Sequence, residues 1–170
     1  GASGGEPLSR RVVLGVDPGN ARCGWGVVAE EEGVLSAVEF GCLSTPASLG
    51  RVERLVRIHQ GLTEILTRHV PDEVAVEQLF FNRNVTSAMA VGEARGVALL
   101  AAGQQGLPVG EYTPSQVKEA LTGSGRASKD ELRTVVVMTL GLERPPRPDD
   151  VSDALGIALT HVFHRQLSLT

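Results

Sequence analysis

The sequence predicts one α/β domain built on a mixed sheet. Early in the chain, short apolar runs are split by tight turns, the pattern of an antiparallel meander. Later stretches repeat apolar residues at three and four, the pattern of amphipathic helices, and alternate with further short apolar runs. With 170 residues the chain can bury one sizeable core and leaves little room for a second.

Each element follows from a local signal. Residues 1–10 hold three glycines and a proline without an apolar period. They are expected to be a flexible arm or a cloning remnant, with the domain occupying 11–170. Residues 12–16 form an apolar run that ends at Asp17-Pro18-Gly19, a turn signal. Strands are predicted again at 25–28 and 34–43, joined by a Glu-rich turn at 30–33. Leu49, Val52, Leu55, Val56, Leu62, Ile65 and Leu66 then mark a helix. Residues 74–76 read as a buried strand ending at Glu77, and 84–105 as an Ala- and Gly-rich helix. A strand at 108–112 leads into Thr113-Pro114-Ser115-Gln116, a capping box with proline in the first turn. Gly123-Ser124-Gly125 is a joint. Ser128 and Glu131 open a further capped helix, which runs to about Leu140. Pro145, Pro146 and Pro148 stiffen a connector before a last helix over 149–165. The order is βββαβαβααα, with no internal repeat.

Composition narrows the class. Sixteen Lys and Arg stand against 20 Asp and Glu, a net charge of −4, and 42% hydrophobic with 21% charged residues describes a globular chain. No uninterrupted apolar run approaches the roughly 18 residues of a membrane span, so no membrane association is expected. Two cysteines, Cys23 and Cys42, exclude a disulfide scaffold and suit a reducing compartment. There is no signal-peptide pattern, and a cytoplasmic location is expected. Mild acidity argues at first against a nucleic-acid partner.

Four carboxylates change that view. Asp17 and Glu77 each end an apolar strand, and Asp150 and Asp153 lie three apart at a helix start, on one face. Taken singly, Asp17 reads as a turn residue and Asp150 as a helix acid favoured by the macrodipole. Together they would repel unless a cation held them, and an all-oxygen set suits Mg²⁺ or Mn²⁺ rather than zinc. Two such ions are a standard arrangement for in-line displacement at phosphorus. Setting the four aside leaves 16 acidic against 16 basic residues, which removes the objection to nucleic acid.

These residues carry a family resemblance. Leu14-Gly15-Val16-Asp17-Pro18-Gly19, Val76-Glu77-Gln78 and Asp150-x-x-Asp153-Ala154-Leu155-Gly156-Ile157-Ala158 resemble the signature of the RuvC family of Holliday-junction resolvases. Gly92-Glu93-Ala94-Arg95-Gly96-Val97 and Tyr112-x-x-x-Gln116-Val117-Lys118 match it as well, over about 12–164. The resemblance implies a ribonuclease-H-like fold with a five-stranded sheet in the order 3-2-1-4-5, flanked by helices. It implies a metal-dependent endonuclease that resolves four-way junction DNA by paired symmetric nicks in recombination and repair. Asp17, Glu77, Asp150 and Asp153 resemble its catalytic metal ligands, with two Mg²⁺ or Mn²⁺ ions per site. Phe80 matches an aromatic that stacks on an unpaired base. Phe81 and Arg83 fall in the loop entering the junction, and Lys118 and Lys129 resemble lysines lining the DNA groove. A homodimer and the RuvA–RuvB branch-migration complex are the implied protein partners.

Competing readings are weaker. An actin-like or sugar-kinase-like ATPase shares a Gly-x-Asp-x-Gly turn but needs a duplicated half. A non-catalytic DNA-binding module of the same fold would not need all four acids. Arg51, Arg54 and Arg57, interspersed with Glu53, read as a solvated helix face. His161 lies eight residues beyond Asp153, about 12 Å along a helix, too far to join the same metal.

Overall fold

The short turns after the first and second strands force antiparallel pairing, and the helices that follow force parallel additions on the other side. The computed structural model describes residues 9–79 and 85–168. Strands β1 (Arg10–Asp17), β2 (Arg22–Glu31) and β3 (Val34–Ser44) form the meander. Helix α1 (Arg51–His69) leads to β4 (Glu73–Glu77), and α2 (Val85–Gln104) to β5 (Val109–Tyr112). Helices α3 (Pro114–Thr122), α4 (Lys129–Leu140) and α5 (Asp149–Ser168) complete the chain. The sheet order is β3-β2-β1-β4-β5, with β4 and β5 parallel to β1, as the family resemblance implies. β1 begins at Arg10, one residue before the expected domain start.

Alternation along the strands sorts side chains into two layers. Leu14, Val16, Trp25, Val27, Val74 and Val76 pack against α1 and α2. Val13, Val28, Ala75 and Tyr112 pack against α3, α4 and α5. Both Thr113 bonds of the predicted capping box form: its hydroxyl accepts the Gln116 N–H at 3.2 Å, and its own N–H reaches Gln116 Oε1 at 2.9 Å. Ser128 caps α4 by accepting the Glu131 N–H at 3.1 Å.

Two expectations need correction. Val52 and Val56 are exposed, because the buried stripe of α1 runs through Ile58, Leu62, Ile65 and Leu66 and those valines fall around the helix from it. Secondly, α2 is long and apolar enough to cross a membrane by length and composition. No continuous run showed this, because Glu93 and Arg95 interrupt it. In the fold, α2 rests on the core through Ala94, Ala98, Ala101 and Ala102, Glu93 pairs with Arg51 at 3.5 Å, and Arg95 pairs with Glu111.

Candidate active site

Two of the four acids are placed by strand alternation. Leu14, Val16, Val74 and Val76 fill the α1–α2 layer, so Asp17 and Glu77 point to the α5 side. Val16 pairs with Val76 in parallel register, which ends both strands side by side with their carboxylates adjacent.

Helix α5 supplies the other two, and glycines let it come close enough. A Cβ on Gly24 would collide with the Asp150 carbonyl, one on Gly15 with the Ala154 carbonyl, and one on Gly26 with the Leu155 side chain. At Gly15 and Gly24, therefore, strand backbone meets the backbone of α5, and at Gly26 it meets the Leu155 side chain. Asp150 and Asp153 are held over the end of β1 in this way, and all four acids line one cleft of about 380 Å³. Lys118 of α3 and Lys129, the first residue of α4, line it as well, with Val117, Leu132 and Ile157 as apolar wall.

The walls leave their mark on the acids. Burial, then the hydrogen bond that the Asp17 carboxyl donates to Glu77 and the charges of Glu77, Asp153 and Asp150, push the Asp17 pKa up to about 10. Burial also raises Asp153; Lys129 and Arg133 pull against that rise, while Glu77 and Asp150 add to it. Buried Cys23 is pushed up to about 12, chiefly by burial, which leaves an inert thiol.

Among the described residues no three His, Cys, Asp or Glu side chains close into a ready-made metal cage. The acids line an open cleft instead. That suits Mg²⁺, which usually takes one or two carboxylates and completes its shell with water and substrate phosphate. The donor set is all oxygen, and burial together with the neighbouring carboxylates raises the Asp17 pKa, so added positive charge would suit the cluster. The residues fit a divalent ion.

Phe80, Phe81 and Arg83 lie outside the described residues; Leu79, just before them, is exposed and lines the cleft. His161 stands away from the acids, with Nε2 2.7 Å from Glu73 and Nδ1 2.7 Å from the Tyr112 hydroxyl. Burial lowers its pKa, with Arg11 and His164 adding to the effect. A neutral ring then donates from Nε2 to Glu73 and accepts from Tyr112. Arg51 and Arg54 are tied to Glu93 and to the Leu49 carbonyl, as a helix surface would be. Sequence reasoning missed Arg133, whose ion pair with Asp149 measures 2.9 Å, and the Gly24-x-Gly26 alternation on β2. Two glycines on one face of a strand were the available signal.

The family model described as "Crossover junction endodeoxyribonuclease RuvC" matches residues 13–161. A protein of that description from Chloroflexus aggregans is 52% identical over 151 residues, covering 89% of this chain and 92% of its own length. One from Rubrobacter xylanophilus is 50% identical over 160 residues, covering 94% and 89%. Among solved structures, T. thermophilus RuvC in complex with Holliday junction substrate superposes with a TM-score of 0.89 at 42% identity, covering 93% of this chain and 96% of that one. The match runs from β1 into α5 and so spans every acid of the cleft; on that basis the chain belongs to the RuvC family of crossover junction endodeoxyribonucleases.

Proposed function

We propose that this chain cuts four-way junction DNA as a metal-dependent, structure-selective endonuclease. The observation that carries this reading is the cleft itself: four carboxylates from two parallel strand ends and one helix, beside two lysines, in a chain of this family. Divalent-metal dependence is general to the family. Asp17, Glu77, Asp150 and Asp153 are the metal ligands and catalytic residues, for two Mg²⁺ or Mn²⁺ ions. Bound ions would supply the electrophilic stabilisation that an in-line displacement at phosphorus needs. Val117, Leu132 and Ile157 keep one side of the acids dry, which strengthens their hold on cations. Lys118 and Lys129, which line the cleft, take DNA phosphates. Phe80 stacks on a base near the crossover, and Phe81 and Arg83 contact the junction.

Two symmetric cuts need two copies, and a homodimer supplies them. The Ala- and Gly-rich helix α2 is the candidate contact; Ala94 and Ala98 pack into their own chain's core, so they do not meet the partner. The outer side of α2 does, with exposed Val85, Met89, Gly92, Gly96 and Leu100 recurring at three and four. Among the described residues nothing lies within 4 Å of where a Cβ on Gly92 or Gly96 would be, which permits close helix packing. The RuvA–RuvB branch-migration complex is the expected companion and the cytoplasm the expected location.

The test is a labelled synthetic junction incubated with Mg²⁺, Mn²⁺, Ca²⁺ or chelator. Paired nicks are expected with Mg²⁺ or Mn²⁺ and none with chelator; cutting in chelator would refute the metal site. Asp17→Asn should cut at least about a hundredfold more slowly and still bind the junction, since it removes a ligand to ions that supply several kcal/mol. Sedimentation should show a species near twice 17.9 kDa. Mixed wild-type and Asp17→Asn dimers should nick a single strand.

A further inference from the structure

Asp150 is shared by two clefts. Beyond the acid cleft lies a second, of about 400 Å³, lined by Arg22, Lys129, Arg147 and Asp149. The two meet along Lys129, Asp150 and Asp153, which makes one continuous trough from the carboxylates across the start of α5. Arg22 opens β2, two residues before Gly24, where α5 touches the strand. Its Nε lies 3.6 Å from Asp150 Oδ2 with the side chain 60% exposed. An ion pair that long and that wet is weak and readily exchanged. Arg147, in the proline-rich connector, is exposed, lines the same cleft and has no carboxylate partner among the described residues. The remaining acid of the trough, Asp149, is already matched by Arg133 at 2.9 Å. Once Asp150 and Asp153 are given over to divalent ions, Arg22, Arg147 and Lys129 are left as uncompensated positive charge in an open channel.

We infer that Arg22 and Arg147 form a phosphodiester subsite that holds the DNA strand just beyond the position of the cut. This rests on the nuclease reading above. The guanidinium fork matches two phosphate oxygens, and two forks lining one open cleft suit a backbone running through rather than a small anion enclosed. Arg22 has two successive partners: Asp150 in the free protein, and DNA phosphate when Asp150 turns to the metal. It is a positioning residue, since it orients the strand and one of the acids without touching the reacting atoms.

The experiment uses the full chain with Asp17→Asn, so that the strand stays whole, and adds Arg22→Gln, Arg147→Gln or both. Anisotropy of a labelled four-way junction is titrated in Mg²⁺ at several salt concentrations. Each substitution should weaken binding about five- to tenfold near 0.1 M salt and flatten the slope of log K against log salt by about 0.9 per lost contact. Arg57→Gln, on α1 at the other face of the sheet, should change neither. Melting temperatures, measured in parallel, should be unaltered. An unchanged salt slope in the double variant overturns the subsite, including the case where affinity falls, which would make Arg22 only a partner of Asp150. A wild-type chain that neither binds nor cuts the junction would instead sink the nuclease reading beneath it.

Discussion

Glu73 and Glu77 sit on the same face of β4, four residues apart, and meet opposite fates. Glu73 is 2% exposed and surrounded by positive or donating groups: Arg11 at 2.8 Å, His161 at 2.7 Å, and Arg165. Glu77, at the other end, meets Asp17 and feels Asp153, both carboxylates pushed above their usual range. The strand offers about 13 Å between the two positions. Helix α5 spans a similar distance from Asp153 to His161, about 12 Å over eight residues, so each strand end receives its own part of the helix. One end carries its counter-ions in the chain. The other carries too few for its carboxylates, a weak pair of Arg22 with Asp150 and the nearby Lys129, and that shortfall separates a structural carboxylate from one available for chemistry.

The contrast can be broken from either side. Glu73→Gln should destabilise the fold by about 3 kcal/mol, the low end for a broken buried pair because Arg11 and Arg165 retain water. Chemical denaturation would measure it, and a loss below about 1 kcal/mol would mean the network is solvated. Gly24→Ala pushes α5 off the sheet at Asp150; about 1–3 kcal/mol of overpacking is expected, with junction cutting reduced more than stability predicts.

Asp17→Asn should act in the opposite sense on stability. Its carboxyl has a raised pKa in the fold, so the folded chain holds a proton that the unfolded chain releases. The stabilisation linked to that proton is fully present below about pH 4 and is lost as pH rises toward 10. In chelator, the variant should therefore melt above wild type by about 2–4 °C for each kcal/mol gained, and the gap should widen from pH 5 to 9. A gap that is constant across that range would mean Asp17 is not crowded. The smallest effect is Tyr112→Phe, which leaves His161 Nδ1 without its donor and should cost about 1 kcal/mol.

How much was legible beforehand differs between the same two regions. The acid end announced itself, because Asp17 and Glu77 close apolar runs and Asp150 and Asp153 share a helix face, and these are local patterns. The Glu73 end did not: its partners Arg11, His161 and Arg165 are far away in sequence, and a glutamate opening a strand looks like any solvated one. Helix rise alone separated His161 from the acids, though its partners Glu73 and Tyr112 came only with the fold. The exposed Val52 and Val56 show the limit of counting apolar residues at three and four without knowing which arc of the helix the sheet will take.

The glycine contacts under α5 have a consequence for tolerance to change. A helix resting on side chains shifts when those side chains repack; one resting on strand backbone at Gly15, Gly24 and Gly26 has almost nothing to give. The spacing of Asp150 and Asp153 from Asp17 is thus set by main chain and is insulated from the layer formed by α1 and α2. Substitutions among Ile58, Leu62 and Ala98 can drift, lowering or raising the melting point, while each folded molecule keeps the same carboxylate geometry. The fold divides its mutable mass from its fixed gauge along the plane of the sheet.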